Sequence, residues 1–424
     1  MAPATATAAP SIRDAMIIKT QSWSGQNRPC VVLGVNDENG FRARAREMNG
    51  AGFVEPPSLG NPTDFGALVL GKAIYLPRLG MVLYSDEPIP ASSPENTTQR
   101  ITRSFIQPGV AEPAASTRPK SPYPARVAGA SAADTAEATW GVQVTKADQT
   151  KFTGKGIRVA VLDSGINLDH PAFAGVPVVL RSFVNGPADR DDGGHGTHCA
   201  STICGRPEAT TGRKYSVAPG VELYVAKIFD ARQTSPEEQT LMALSWALEK
   251  GCQIISLSVG GQVQRGSPYS KAFEEAARKA LEHGALLIAG AGNNSSRAAR
   301  KLMPVNGPAN CPSVMAVGAI DESLQIANGS NPALNGEGGE VNLVAPGMAV
   351  LSAGLKQDMN RMDGTSAAVP FVAGIAALWA ESDPLLRGKE LWKKLEQTAD
   401  PSVGSLADVG RGLVQAPIPA AKKS

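Results

Sequence analysis

The sequence predicts an α/β fold: a doubly wound, mostly parallel sheet with helices on both faces, preceded by a small α+β domain. Three observations carry this expectation. From residue 157 onward, short continuous apolar runs recur, such as IRVAVLD (157–163) and ALLIA (285–289). Runs of that kind suit strands buried on both faces. Helical stretches with short connections separate them, which is the pattern of a parallel sheet. Finally, residues 112–135 (EPAASTRPKSPYPARVAGASAADT) lose apolar periodicity and are dominated by Pro, Ala and Ser, as a linker between two units would be.

The elements follow in order. Residues 1–15 form an Ala/Thr/Pro-rich tail with no apolar pattern. Within 16–115, a strand is expected at 28–36 and a helix closing on glycine at 41–52. One or two strands follow in AIYLPRLGMVLYS (73–85), then a helix at 96–106 and a closing strand in GVAEPA (109–114). That β-α-β-β-α-β order describes a small α+β domain. A linker over 116–137 leads to the main domain, 138–415, and a tail over 416–424. In the main domain, IRVAVLD and VELYVAKIFD (221–230) are strands. Ser235, Pro236 and Glu238 then form a capping box at a helix start. Leu241, Leu244 and Leu248 share one face of that helix, and Gly251 ends it. CQIISLSV (252–259) is a strand, 268–282 a helix ended by Gly284, and ALLIA the next strand. In such sheets ligands meet the carboxyl ends of the strands, so chemistry is expected there.

Composition excludes several function classes. The 424 residues carry 41 basic and 39 acidic side chains, well mixed, so nothing argues for a nucleic-acid partner. Cys30, Cys199, Cys204, Cys252 and Cys311 are odd in number, scattered and without CxxC spacing. Mostly free thiols are expected, with no structural zinc. The opening MAPATATAAPSIRDAM lacks a basic n-region and an apolar h-region, so no signal peptide is expected. No run reaches bilayer-spanning length. The expectation is a monomer without membrane contact, cytoplasmic by default.

Four histidines limit the choice of a general base: His170, His195, His198 and His283. His170 precedes a proline in a loop. His283 lies at a helix end, where a cation suits the helix dipole. His195 sits in DDGGHGTHCA (191–200), where flanking glycines allow a tight turn into a helix. The HGTH spelling lacks the glutamate of a zinc-protease HExxH helix, so no catalytic metal is expected, and His198 reads as a packed helix residue. Asp163 ends the strand IRVAVLD, where a carboxylate is either a turn residue or an orienter for a histidine. Ser366 stands in MDGTSAAVPFVAGIAALWAE (362–381), after Gly364 and before a helix apolar nearly all round. A serine there is ordinarily a cap. A buried helix, however, would aim its amino terminus at the sheet's functional edge, where its N–H groups favour a developing oxyanion. Asn293, in AGAGNNSS (289–296), is either a turn residue or a donor to that oxyanion.

Order and context together make this sequence resemble the subtilisin-like serine proteases, the subtilase family. GIRVAVLDSGINLDHPAF (156–173), HGTHCA (195–200) and GTSAAVPFVAG (364–374) resemble its aspartate, histidine and serine motifs, in subtilase order. Cys199 gives the histidine motif a spelling similar to the proteinase K branch. WGVQVTKAD (140–148), SVAPGVELYVAKIFD (216–230), SLSVGG (256–261), PANCPSVMAVGAID (308–321) and NLVAPG (342–347) are similar to further family segments. The resemblance implies a serine endopeptidase acting on peptides or proteins through an acyl-enzyme, with Asp163, His195 and Ser366 as a triad and Asn293 in the oxyanion hole. It also implies that Ser258, Val259 and Gly260 pair with substrate backbone and wall the S1 pocket, with Asn306 near the pocket base. Residues 16–115 resemble the family's inhibitory propeptide, so the chain is expected to be a zymogen inhibited by its own amino-terminal domain. The rival reading of that region is an unrelated substrate-recruiting module. Autoprocessing is expected in the 112–135 linker.

Some positions depart from the family pattern. Phe371 replaces a usual histidine. Ala172 stands where many members offer calcium an aspartate, and GRPEATTGRKY (205–215) lacks the usual Asn-rich calcium loop. No cofactor is required, and calcium, if bound, would lack its usual ligands. Asp189, Asp191 and Asp192 are expected to form a solvated acidic loop rather than a cation site. The absence of a signal peptide differs from a mostly secreted family. Two other functions fit the same resemblance: a maturation protease of narrow specificity acting on one partner precursor, and a catalytically silent fold that only binds.

Overall fold

The computed structural model describes residues 132–418 except 185, 231–234, 236 and 337, together with Ile18–Lys19, Val31–Gly34, Leu68–Leu70, Ala73–Leu76, 78–79, Met81–Tyr84 and Gln107–Pro108. In the amino-terminal part, β1 (Ile18–Lys19), β2 (Val31–Gly34), β3 (Leu68–Leu70), β4 (Ala73–Leu76) and β5 (Met81–Tyr84) form an antiparallel sheet in the order β1-β2-β5-β4-β3. The helices expected at 41–52 and 96–106 and the strand expected at 109–114 lie outside the described residues. Just before that segment, β6 (Gln107–Pro108) pairs with the main domain instead. It runs antiparallel to β11 (Val259–Gly260), with Pro108 opposite Val259 and Gln107 opposite Gly260.

The main domain is a seven-stranded sheet. Its strands are β7 (Arg158–Asp163), β8 (Val178–Ser182), β9 (Glu222–Lys227), β10 (Ile254–Leu257), β12 (Leu286–Gly290), β13 (Met315–Ile320) and β14 (Leu343–Pro346). They lie in the order β14-β13-β12-β10-β7-β9-β8, and every pairing is parallel. From β7 the sheet extends through β10, β12, β13 and β14 on one side and through β9 and then β8 on the other, which is the doubly wound arrangement expected. The strands read as continuous apolar runs because both faces are covered. Along β7, Val159 and Val161 enter one core while Ala160 and Leu162 enter the other. β12 does the same with Leu286 and Ile288 against Leu287 and Ala289.

After the short α1 (Trp140–Val144), two sets of helices cover those faces. On one side lie α2 (His195–Cys204), α5 (Thr365–Ser382) and α6 (Gly388–Thr398); on the other, α3 (Glu237–Glu249) and α4 (Lys271–Glu282). Their cores differ in character. α4 is amphipathic, burying Phe273, Ala276, Ala277 and Ala280, whereas α5 is buried on almost every side. Each fully buried Val, Leu, Ile or Phe in α5 contributes about 1.5–3 kcal/mol, so α5 is held rigidly. Two helix starts differ from expectation. α4 begins at Lys271, not 268, because Ser270 Oγ accepts the Phe273 N–H and sets the cap there. α3 begins at Glu237, two residues after Ser235. A hairpin of β15 (Val350–Ala353) and β16 (Met359–Met362) and the four-residue helix α7 (Leu406–Val409) complete the described elements.

The amino-terminal sheet docks on the α3/α4 face. Leu76, Leu79 and Met81 are fully buried in the same apolar cluster as Leu241, Leu244 and Trp246. Arg78, in the β4–β5 turn, donates to Glu249 at 3.1 Å, and its carbonyl lies 2.8 Å from His283 Nε2.

Candidate active site

Three strand and helix ends converge at one edge of the sheet. Asp163 is the last residue of β7, His195 the first of α2, and Ser366 the second of α5. Two glycines make the approach feasible. A methyl group on Gly196 would lie 2.2 Å from the Gly165 carbonyl, so α2 starts directly against the end of β7. Gly364 has φ +124°, a left-handed turn that swings the chain into α5.

His195 Nδ1 lies 2.8 Å from Asp163 Oδ1, and both side chains are buried. A carboxylate can only accept, so the pair fixes the proton on Nδ1 and leaves Nε2 as the basic nitrogen. Nε2 is buried and has no hydrogen-bond partner. Burial favours the neutral ring, but the Asp163 charge and hydrogen bond outweigh it, and the His195 pKa stands well above the usual histidine value.

Ser366 is buried, and its Oγ donates to the Ser258 carbonyl at 3.2 Å rather than to His195. Cys199 spans the two residues: its Sγ lies 3.9 Å from His195 Nδ1 and 3.6 Å from the Ser366 carbonyl. A rotation about χ1 is the motion that would turn Ser366 Oγ from Ser258 toward another partner. Apo sites often close such contacts only with substrate bound. Pro370 matters here. It lacks the N–H that would bond the Ser366 carbonyl within the helix. The freed carbonyl instead accepts from Ser258 Oγ at 3.0 Å, which ties the start of α5 to the end of β10.

Asn293 follows β12. Its Oδ1 accepts from the Thr365 N–H (2.8 Å) and hydroxyl (3.2 Å), which fixes the amide and leaves Nδ2 beside Gly364. The Ser366 N–H is among the first of α5, for which no intrahelical carbonyl exists. Two donors therefore stand near Ser366 where charge would build on a substrate oxygen. Val259 and Gly260 form the strand edge that β6 occupies, and Ser258 immediately precedes it. Asn306 is buried nearby: its Cβ would lie 3.4 Å from a methyl group on Gly260.

The chain matches the subtilase family model over residues 154–413. The chain belongs to the subtilase family. It is 32% identical over 279 residues to subtilisin DY of Bacillus licheniformis, spanning 65% of this chain and 96% of that protein. Subtilisin Savinase of Lederbergia lenta is 34% identical over 284 residues, with the same coverage. Among solved structures, a cold-adapted subtilisin-like serine proteinase superposes with a TM-score of 0.52 at 28% identity, covering 63% of this chain and 89% of that one. The prenylagaramide maturation protease PagA superposes with a TM-score of 0.54 at 26% identity, covering 65% and 96%. This subtilase is thus a subtilisin-family serine protease, and its seven-stranded fold is the subtilisin-like one.

Ser164, next to Asp163, is a second serine in the subtilase's cluster. Its Oγ is committed: it donates to Asp191 Oδ1 at 2.8 Å and accepts from the Gly196 N–H at 3.0 Å. It serves the scaffold and is not a free nucleophile. Asp191 corrects an expectation. It is not solvated but buried, and it accepts from the N–H groups of Gly193, Gly194 and Thr197, from the Thr197 hydroxyl and from Ser164. Those N–H groups are unsatisfied donors at the start of α2, so Asp191 caps the helix that carries His195. Asp192 pairs with Arg190 and with the buried Lys227, whose hydrogen bond holds its carboxyl below the usual range. Only Asp189 is exposed. Sequence reasoning missed this cap because Asp191 stands three residues before the N-cap position. It also missed Pro370, four residues after Ser366, although a proline at that spacing is a readable sign of a freed carbonyl.

The other histidines are structural. His198 Nε2 lies 3.0 Å from the Val350 carbonyl, and burial pulls its pKa down to about 4. His170 accepts the Ala172 N–H at 3.0 Å as a helix cap. Cys199, Cys204, Cys252 and Cys311 are free and buried. Phe371 is buried against Gly141, filling its position without a polar group. The segment where the family's calcium would sit does not suit it. Ala172 offers a buried methyl group, and the Arg206 guanidinium takes the carbonyls of Ala174 (2.9 Å), Gly175 (2.8 Å) and Pro219 (3.1 Å). A cation there would meet a fixed positive charge instead of a carboxylate.

Proposed function

We propose that this subtilase is an endopeptidase that cleaves peptide bonds through an acyl-enzyme on Ser366, and that it is made as a zymogen. The observation that carries the reading is the buried Asp163–His195 pair, whose free Nε2 belongs to the cluster that includes Ser366. In this reading Ser366 Oγ attacks the scissile carbonyl while His195 Nε2 takes its proton. His195 then returns that proton to the leaving amine, and Asp163 stabilises the imidazolium. Asn293 Nδ2 and the Ser366 N–H receive the oxyanion; losing such a donor lowers turnover by roughly 10²–10³-fold. No step calls for a metal or cofactor. The β6–β11 pairing supports inhibition by the amino-terminal region, because β6 occupies the edge that a substrate strand would use.

A second reading is a maturation protease of narrow scope. It is favoured by the similarity to a structure described as a prenylagaramide maturation protease. One experiment addresses both: hydrolysis of casein and of a random peptide library by the processed chain and by Ser366→Ala. Broad internal cleavage by the parent and none by the variant is expected for a general endopeptidase. Cleavage of a single sequence class selects the narrow reading, and equal cleavage by both proteins contradicts the assignment of Ser366.

A further inference from the structure

We propose that the Arg206 guanidinium stands in for a structural cation: it binds three backbone carbonyls that would otherwise call for one, and so braces this corner of the domain without calcium. The first observation is how those carbonyls are taken up. Arg206 Nε donates to Ala174 at 2.9 Å, Nη2 to Gly175 at 2.8 Å and Nη1 to Pro219 at 3.1 Å. Ala174 and Gly175 follow the 3₁₀ turn Pro171–Phe173, whereas Pro219 lies in the turn before β9. Among the described residues, no backbone N–H reaches any of the three oxygens. Carbonyl oxygens gathered from two turns are ligands that a hard cation takes. Here a planar fork takes them, with one nitrogen for each oxygen.

The second observation is what surrounds the fork. Arg206 stands two residues past the end of α2, and its own N–H donates to the Ala172 carbonyl at 2.8 Å. Backbone and side chain together tie the end of α2 to the segment leading into β8 and to the entry of β9. Ala172 is buried and has no carboxylate to compete for the guanidinium. The loop beyond is also closed by protein groups. The Lys214 N–H donates to the Glu137 carbonyl at 2.8 Å, and the Lys214 carbonyl accepts the Thr139 N–H at 2.9 Å. Glu208 accepts the Thr211 hydroxyl at 2.5 Å and faces Arg213 at 3.9 Å. Within 205–215, Arg206, Arg213 and Lys214 stand against Glu208 alone, an excess of positive charge that repels a further cation.

The difference matters because a cation bound from solution leaves when its concentration falls. A guanidinium belongs to the chain and stays charged. The end of the helix that carries His195 therefore keeps its anchor in chelating solution.

The test is hydrogen exchange of the full chain carrying Ser366→Ala, so that no proteolysis intervenes, in excess EDTA and in millimolar calcium. With Arg206 present, amides in 172–176 and 218–223 are expected to exchange at equal rates in the two solutions. Arg206→Ala is expected to quicken them by at least about fivefold in both, through loss of three charge-assisted hydrogen bonds. Arg206→Lys keeps the charge but offers one nitrogen, and is expected to recover less than about half of the lost protection. Protection of β12 is the control for global folding, and Arg206→Lys keeps the test readable if Arg206→Ala does not fold. Slower exchange of these amides in calcium than in EDTA, with Arg206 in place, overturns the proposal, because a cation would then be bracing the same turns. Unchanged exchange in Arg206→Ala overturns it as well, and full protection in Arg206→Lys overturns the role given to the fork.

Discussion

At the scale of single residues, the subtilase's chemistry turns on where the His195 proton sits. A base must be neutral at Nε2, yet the Asp163 charge holds the ring's pKa above its ordinary value of about 6.5. Activity should therefore rise with pH through that elevated pKa. Stability moves the other way. The raised folded pKa gives a stabilising contribution that is complete below about pH 6.5 and fades as pH climbs through the folded value. Asp163→Asn removes the charge but not the burial. The acid limb of kcat/KM is then expected to move to lower pH, while the rate falls by about four orders of magnitude. A pH–rate profile of both proteins checks this, and an unmoved limb would mean that another group sets it.

At the scale of elements, the site depends on how two helices begin. Asp191 gathers five donors at the start of α2, all within a buried pocket. Asp191→Ala leaves them unpaired and is expected to cost roughly 3 kcal/mol in urea unfolding of the Ser366→Ala background. With Ser366 intact, the same change should lower kcat more than it raises KM, since it loosens His195 rather than the strand-pairing edge. A loss below 1 kcal/mol would show that water replaces the carboxylate. This element also shows what the sequence made legible. Asp163, His195, Ser366 and Asn293 stood out because each ends an apolar strand or opens a helix, and local pattern reports such positions. The Asp191 cap and the Ser258 tie to Ser366 did not stand out. The cap is local but starts three residues before the N-cap position, where no capping pattern reports it, and the Ser164–Asp191 and Ser258–Ser366 bonds join residues 27 and 108 positions apart, which no period in the chain encodes.

At the scale of the whole molecule, two sheets of different kinds share one core. The β4–β5 turn inserts Leu79 among the side chains beneath α3, while β6 reaches the active edge at β11. The Arg78–Glu249 pair at the rim is half exposed and adds no more than about 1 kcal/mol, so apolar burial holds the two parts together. Leu79→Asp in the Ser366→Ala chain buries a charge without a partner and is expected to release the amino-terminal sheet. Hydrogen exchange should then quicken in 73–84 while β7 and β12 keep their protection. Unchanged exchange in 73–84 would contradict docking through this turn. Four of the seven parallel strands, β7, β9, β10 and β12, were legible from their continuous apolar runs, whereas β8, only half-buried, and β13 and β14 were not read as strands. The partner face for the small sheet was not legible either, because its contacts, such as Arg78 with Glu249, join residues 171 positions apart.

The proposed chemistry requires that Ser366 be the one serine that the Asp163–His195 pair activates. Mapping the adduct of a fluorophosphonate probe by mass spectrometry tests this most directly. A single adduct on Ser366 is predicted, lost in Ser366→Ala and at least a thousandfold slower in His195→Ala. An adduct on Ser164 or elsewhere, or labelling of Ser366 that is indifferent to His195, would contradict it.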